Sequence, residues 1–112
     1  MYTDNLFELI KELNSQPVKF RLKLKNKDKN LTWEDWIINP TGNYIETGHT
    51  GPNIIDKIEY IEINPIEEKN IGKLVPKKII NHNFEIIKII ESKNINFKQC
   101  ENTIKIELQV EK

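Results

Sequence analysis

WEDWIINPTGNYIETGHTGPNIIDKIEYIEINP, residues Trp33 to Pro65, decides the fold. It holds both tryptophans and every tyrosine except Tyr2, and turn residues punctuate it at Asn39-Pro40-Thr41-Gly42-Asn43 and at Gly48-His49-Thr50-Gly51-Pro52-Asn53. Aromatic and β-branched residues between such turns compose a sheet, because branched and planar side chains fit a pleated, half-buried surface. The stretch reads as the middle of that sheet. Trp33 to Ile38 is expected as a strand that Tyr44 to Thr47 resumes, and Ile58-Glu59-Tyr60-Ile61-Glu62-Ile63 as another, with Gly48 to Asn53 a loop between them.

Upstream, Val18, Phe20, Leu22 and Leu24 alternate with Lys19, Arg21, Lys23 and Lys25, the period of two that makes one strand face apolar and the other a row of cations. Its expected antiparallel partner is Trp33 to Ile38, reached through the polar turn Asn26 to Asn30. Before it, Leu6, Leu9, Ile10 and Leu13 have the spacing of an amphipathic helix, which Thr3 or Asp4 can cap and Pro17 must end.

Downstream, Asn64-Pro65 closes the acidic strand, and Ile66 to Lys78 shows no regular period. With Gly72 and Pro76 it is expected as a loop crossing the surface. A second helix is predicted from Asn81 to Asn83 onward, burying Phe84, Ile87 and Ile90 with Ile86 and Ile89 alongside and ending by Asn94. Ile95 and Phe97, then Ile104, Ile106, Leu108 and Val110, close the chain as a hairpin about Glu101-Asn102. The predicted class is α+β: one domain over residues 1–112, a mostly antiparallel sheet with two helices, in the order α-β-β-β-β-α-β-β.

A chain of 112 residues can bury one core but not two, since a domain ordinarily takes about 100 residues or more. Formal net charge is zero, which excludes a generally basic polyanion binder. The charge is unevenly laid out, however. Lys19, Arg21, Lys23, Lys25, Lys27 and Lys29 crowd one run with only Asp28 against them, and Glu34, Asp35, Glu46, Asp56, Glu59, Glu62, Glu67 and Glu68 follow with only Lys57 between. Cys100 is the single cysteine, so an intrachain disulfide and a multi-cysteine zinc site are excluded. No apolar run approaches the roughly 18 residues of a membrane span, and the N-terminus is acidic where a signal peptide would be basic. A cytoplasmic protein is expected.

No residue pattern advertises catalysis. His49, in its glycine loop, is a turn residue unless a carboxylate stands beside it, and His82 reads as a helix-start residue. The two histidines lack the carboxylate spacing of a zinc motif, Cys100 reads as an ordinary strand residue, and Gly48 and Gly51 lack the Lys-Ser/Thr of a phosphate cradle. The protein is therefore expected to be no enzyme and to need no metal or cofactor. The cationic row could track a nucleic-acid backbone, but no aromatic interleaves with it to stack a base, and lysines on a strand also discourage aggregation. The acidic block is either a solvated face or the surface that meets a basic partner, with Trp33, Trp36, Tyr44 and Tyr60 as anchors where they are exposed.

Trp36, Pro40, Gly42-Asn43-Tyr44-Ile45-Glu46, Gly51-Pro52, Ile58-Glu59-Tyr60-Ile61-Glu62-Ile63 and Pro65 together resemble an uncharacterised family of small bacterial proteins, and Asn83 to Val110 fits the same outline. Proteins of this size and style are also similar to immunity proteins of bacterial toxin and immunity pairs, including those of contact-dependent growth inhibition. That likeness implies a cytosolic inhibitor of one cognate toxin, a nuclease domain being the expected target because carboxylates can stand in for its phosphate substrate. The partner-binding residues expected on this reading are Glu34, Asp35, Glu46, Asp56, Glu59 and Glu62, with Trp33 or Tyr44 as anchors. Successive strand residues point to opposite faces, so these cannot all share one surface. The alternatives are a small nucleic-acid-binding module on Lys19 to Lys29, an uncharacterised housekeeping protein, and a small hydrolase or transferase using His49.

Overall fold

Phe20 and Leu22, fully buried on the first strand, sit at the middle of the core. The structure is a computed structural model and describes residues 3–25, 27, 31–41, 43–48 and 51–108; Lys29, Pro40's side chain, Gly42, His49, Val110 and the capping side chains of Thr3 and Asp4 lie outside what is described. The elements run α1 (Thr3–Leu13), β1 (Lys19–Leu24), β2 (Ile37–Thr41), β3 (Tyr44–Thr47), β4 (Gly51–Ile54), a short 3-10 turn (Ile55–Lys57), β5 (Ile58–Asn64), β6 (Ile66–Lys69), β7 (Lys78–Asn81), α2 (Asn83–Ser92), β8 (Lys98–Cys100) and β9 (Thr103–Glu107). The α+β class and the order of helices, sheet and closing hairpin are as predicted.

All pairings are antiparallel. A four-stranded sheet has the order β1-β5-β9-β8, a three-stranded sheet β2-β3-β4, and β6-β7 form a separate hairpin. In the large sheet Phe20 lies opposite Ile63 and Leu22 opposite Ile61, and on the far side of β5 Ile61 meets Ile106 and Ile63 meets Ile104. These side chains share one core with Leu6, Leu9, Ile10 and Leu13 of α1, Ile86 and Ile90 of α2, and Ile37 and Ile45 of the small sheet. Burying each such side chain contributes about 1.5–3 kcal/mol. Asn14 Oδ1 accepts the Ile37 N–H at 3.1 Å, tying the end of α1 to the small sheet, and Lys93 reaches Glu12 at 2.9 Å to join the helices.

Four local expectations are revised. The main partner of β1 is β5 rather than Trp33 to Ile38, which meets β1 through the isolated Phe20–Glu34 bridge and the side-chain contacts Arg21–Trp33 and Lys19–Asp35. Gly51–Ile54 is a strand, tolerating Pro52 because β4 lies at the edge of its sheet. Ile66 to Asn81 is a hairpin, not a wandering loop. On α2 the buried pair is Ile86 and Ile90, and Phe84 stands 68% exposed. The N-cap residue of that helix is His82, which makes no side-chain cap hydrogen bond, while Asn81 Oδ1, one residue earlier, accepts the Asn83 N–H at 2.9 Å.

Candidate protein-docking face

The three-stranded sheet separates its side chains cleanly. Ile37, Ile45 and Thr47 are buried, whereas Ile38, Tyr44 and Ile54 are exposed with Pro52, and Glu46 lies half-buried between Ile38 and Pro52 in the register. Trp36, two residues before Ile38, is exposed to a similar degree. The outer face of β2-β3-β4 thus carries aliphatic and aromatic side chains around one carboxylate, on a backbone fixed by two antiparallel ladders. Tyr44 pairs with Ile54, and the Ile55 N–H reaches the Asn43 carbonyl at 2.8 Å, so Asp56 follows directly as an exposed residue of the 3-10 turn.

Behind this face, Gly48 approaches the buried Glu34. A Cβ built at Gly48 would stand 2.7 Å from Glu34 Oε1 and 3.5 Å from Trp36 Nε1, so glycine is what allows the chain past both.

The remaining predicted residues are divided among other places. Glu34, in an isolated bridge before β2, is 4% exposed and lies opposite the buried Phe20. Its neighbours Trp33 and Asp35 take the opposite side: the Arg21 guanidinium lies 4.2 Å from the Trp33 ring centroid, and Asp35 pairs with Lys19. Glu59 accepts from Lys23 at 2.7 Å and Glu62 from Arg21 at 2.8 Å. The basic and acidic strands therefore meet each other. Of the eight expected partner-binding residues, Tyr44, Glu46 and Asp56 fall in or beside the outer face of the small sheet; Asp35 is exposed but engaged with Lys19, and Trp33, Glu34, Glu59 and Glu62 have internal contacts.

Glu62 is the electrostatic centre of the large sheet. Burial alone would raise its pKa, but hydrogen bonds from Arg21 and from Thr103 Oγ1 at 2.6 Å, with the charges of Arg21 and Lys105, together hold it below the ordinary 4.5. For Lys105, burial works against the ammonium, yet the charge and hydrogen bond of Tyr60, with Cys100 and Glu62, hold its pKa above 10.5. The Lys105 Nζ lies 4.5 Å from the Tyr60 ring centroid, and Tyr60 itself is buried, so it packs rather than anchors.

One pairing has no signal in the sequence, since its members are 15 residues apart on separate elements. His82 Nε2 lies 2.8 Å from Glu67 Oε1, both about one-fifth exposed, and fastens the β6-β7 hairpin to the start of α2. Glu67 also borders an open cleft of about 610 Å³ where Lys19 and Lys77 stand among Asp35, Glu67 and Glu68. Cations and carboxylates are mixed there, so the cleft has no single-sign field to concentrate a charged substrate. Among the described residues no group of three or more His, Cys, Asp or Glu side chains is arranged to hold a metal ion, and no helix is long and apolar enough to cross a membrane.

No curated protein and no solved structure matches the chain. Residues 4–108 match the sequence model of one family, almost the whole α+β unit from α1 to the end of β9, and the chain belongs to that family of unknown function, DUF6678.

Proposed function

We propose that this protein is a non-enzymatic binding protein that docks a basic protein partner on the outer face of β2-β3-β4. The observation that carries this reading is the outward display of Ile38, Tyr44 and Ile54 around Glu46 on a hydrogen-bonded sheet. Aromatic and aliphatic anchors ringed by polar groups are the makeup of interface centres, and a sheet holds them at little entropic cost. Glu46 and Asp56 add the negative charge that steers a basic partner and fixes its register.

The partner we propose is a bacterial toxin domain, neutralised in the cytoplasm by occlusion of its active cleft, as the likeness to immunity proteins implies. A nuclease cleft must be basic to hold phosphates, and carboxylates beside an aromatic anchor can occupy it. The nucleic-acid alternative is less well supported, because Lys19, Arg21 and Lys23 already face carboxylates and would have to exchange one partner for another.

The test is co-expression with the C-terminal domain of the protein encoded immediately upstream. A complex of nanomolar affinity or tighter, with rescue of growth, is the expected result, since a lethal partner must be held almost completely. Absence of both complex and rescue overturns the reading.

A further inference from the structure

No residue from Ile66 to Asn81 is buried, so the β6-β7 hairpin is an exposed arm whose base, at Ile66, Glu67, Glu68 and Lys77, borders the cleft beside Lys19. Its base is fixed by the His82–Glu67 pair and by the His82 N–H donated to the Pro65 carbonyl at 2.8 Å. Its outboard half, residues 69–78, reads KNIGKLVPKK: four lysines, no carboxylate, and three large aliphatic side chains. Leu74 is 99% exposed, with Ile71 at 56% and Val75 at 51%. Next to them on β7, Ile79 is 58% exposed. Such a cluster at the tip of an arm has no structural use in the body, and exposed apolar patches on stable proteins mark contact sites.

We infer that this arm anchors the protein to the surface of a lipid bilayer bearing anionic headgroups. Lys77 lies 3.5 Å from Glu68 of the same hairpin, and Lys69, Lys73 and Lys78 supply the positive charge that selects an anionic occupant and would repel the same arm of a second copy. Among anionic surfaces, nucleic acid is disfavoured because the arm has no aromatic side chain to stack on a base and no arginine to enter a groove. A protein partner would need an acidic pocket shaped to a convex tip, whereas a headgroup layer deforms around one. Aliphatic insertion combined with a polybasic flank supplies the two signals that stable peripheral attachment requires. The inference does not depend on the toxin-binding reading, which concerns a different sheet.

The experiment is co-sedimentation of the full chain with vesicles of phosphatidylcholine alone and of phosphatidylcholine mixed with phosphatidylglycerol. Binding is expected to the mixed vesicles only, to weaken as salt is raised, and to fall by about tenfold or more in Leu74→Asp and in the double variant Lys73→Glu/Lys78→Glu. Both changes fall on exposed positions, so circular dichroism should show an unaltered fold. A Leu74→Trp variant is expected to add blue-shifted emission that brominated acyl chains quench. Failure to bind the mixed vesicles, equal binding to the uncharged ones, or undiminished binding by Leu74→Asp would overturn the proposal. Leu74-dependent binding to duplex DNA or to polyglutamate without binding to vesicles would overturn it as well, and assign the arm to that class of partner.

Discussion

Arg21 and Glu62 stand opposite each other on β1 and β5, and the Arg21 Nε–H donates to Glu62 Oε1 at 2.8 Å. Glu62 also accepts from Thr103 of β9, so this carboxylate joins three neighbouring strands of the large sheet. The pair is far from symmetrical: the Glu62 side chain is 5% exposed and that of Arg21 25%. Removing the cation leaves a desolvated carboxylate behind, and Arg21→Ala is expected to cost about 2–3 kcal/mol in urea unfolding. In the double variant Arg21→Ala/Glu62→Leu the loss should be smaller than in Arg21→Ala alone, because no charge is then stranded. Equal losses would mean that the pair is solvated and carries little.

Acid sensitivity follows from the same residue. The folded-state pKa of Glu62 lies below its unfolded value near 4.5, so the folded state prefers the ionised form. Its contribution is complete above pH 4.5 and is lost as the pH falls through the lower folded value. Thermal unfolding followed from neutral pH downward should show a falling Tm in that acid window. Glu62→Gln should be less stable at neutral pH yet show a shallower acid limb, and an unchanged limb would place the acid sensitivity in other carboxylates.

The Arg21–Glu62 pairing also shows what the sequence made legible. The alternation of Lys19 to Leu24 identified both faces of β1, because a period of two survives in any half-buried strand. It did not identify the partner, since pairing across some 40 residues leaves no periodic trace, and the nearer segment Trp33 to Ile38 had equal claim. The matching charges of Arg21 and Glu62 are a signal of this pairing that the separation into basic and acidic runs conceals. The β6-β7 hairpin was hidden for another reason: its strands are four residues long and Lys73, Gly72 and Pro76 interrupt any pattern. The outer face of the small sheet was legible only in part. Tyr44 and Glu46 were identified, but the exposure of Ile38 and Ile54 depends on which side of the ladder meets α1.

Five apolar residues among the seven from Phe84 to Ile90 surround most of α2, so periodicity alone leaves its buried face ambiguous. The structure resolves the phase and supplies a test of it. Ile90→Ala is expected to cost about 2–4 kcal/mol as a large-to-small change at a fully buried site, whereas Phe84→Ala should stay within about 0.5 kcal/mol of the parent. The reverse ranking in chemical denaturation would rotate the helix and overturn the packing described for it.

Docking and folding should separate on the small sheet. Tyr44→Ala and Glu46→Lys alter the outer face and leave Ile37 and Ile45 in the core, so stability is expected to move by less than about 1 kcal/mol. Loss of an interface anchor commonly costs about 2 kcal/mol or more of binding, and the pair together should weaken the proposed toxin complex by roughly a hundredfold or more. Calorimetric titration of each variant against the toxin domain measures this directly. Unchanged affinity in both would move the interface elsewhere even if the complex exists.

Gly48 connects that face to the interior, because an added Cβ would meet the buried carboxylate of Glu34 at 2.7 Å. Gly48→Ala must therefore displace either the Glu34 side chain or the backbone at Gly48, at an expected cost of about 1–2 kcal/mol. Shortening Glu34 removes the obstacle, so in Gly48→Ala/Glu34→Ala the two losses should add to less than their sum, with a coupling of about 1 kcal/mol. Strict additivity would show that the alanine is accommodated without moving Glu34. Trp36 Nε1 lies 3.5 Å from the same point, which extends the consequence to the surface. If the alanine shifts the exposed indole, Gly48→Ala weakens partner binding as well as folding, and Glu34→Ala in the same chain restores only the folding part.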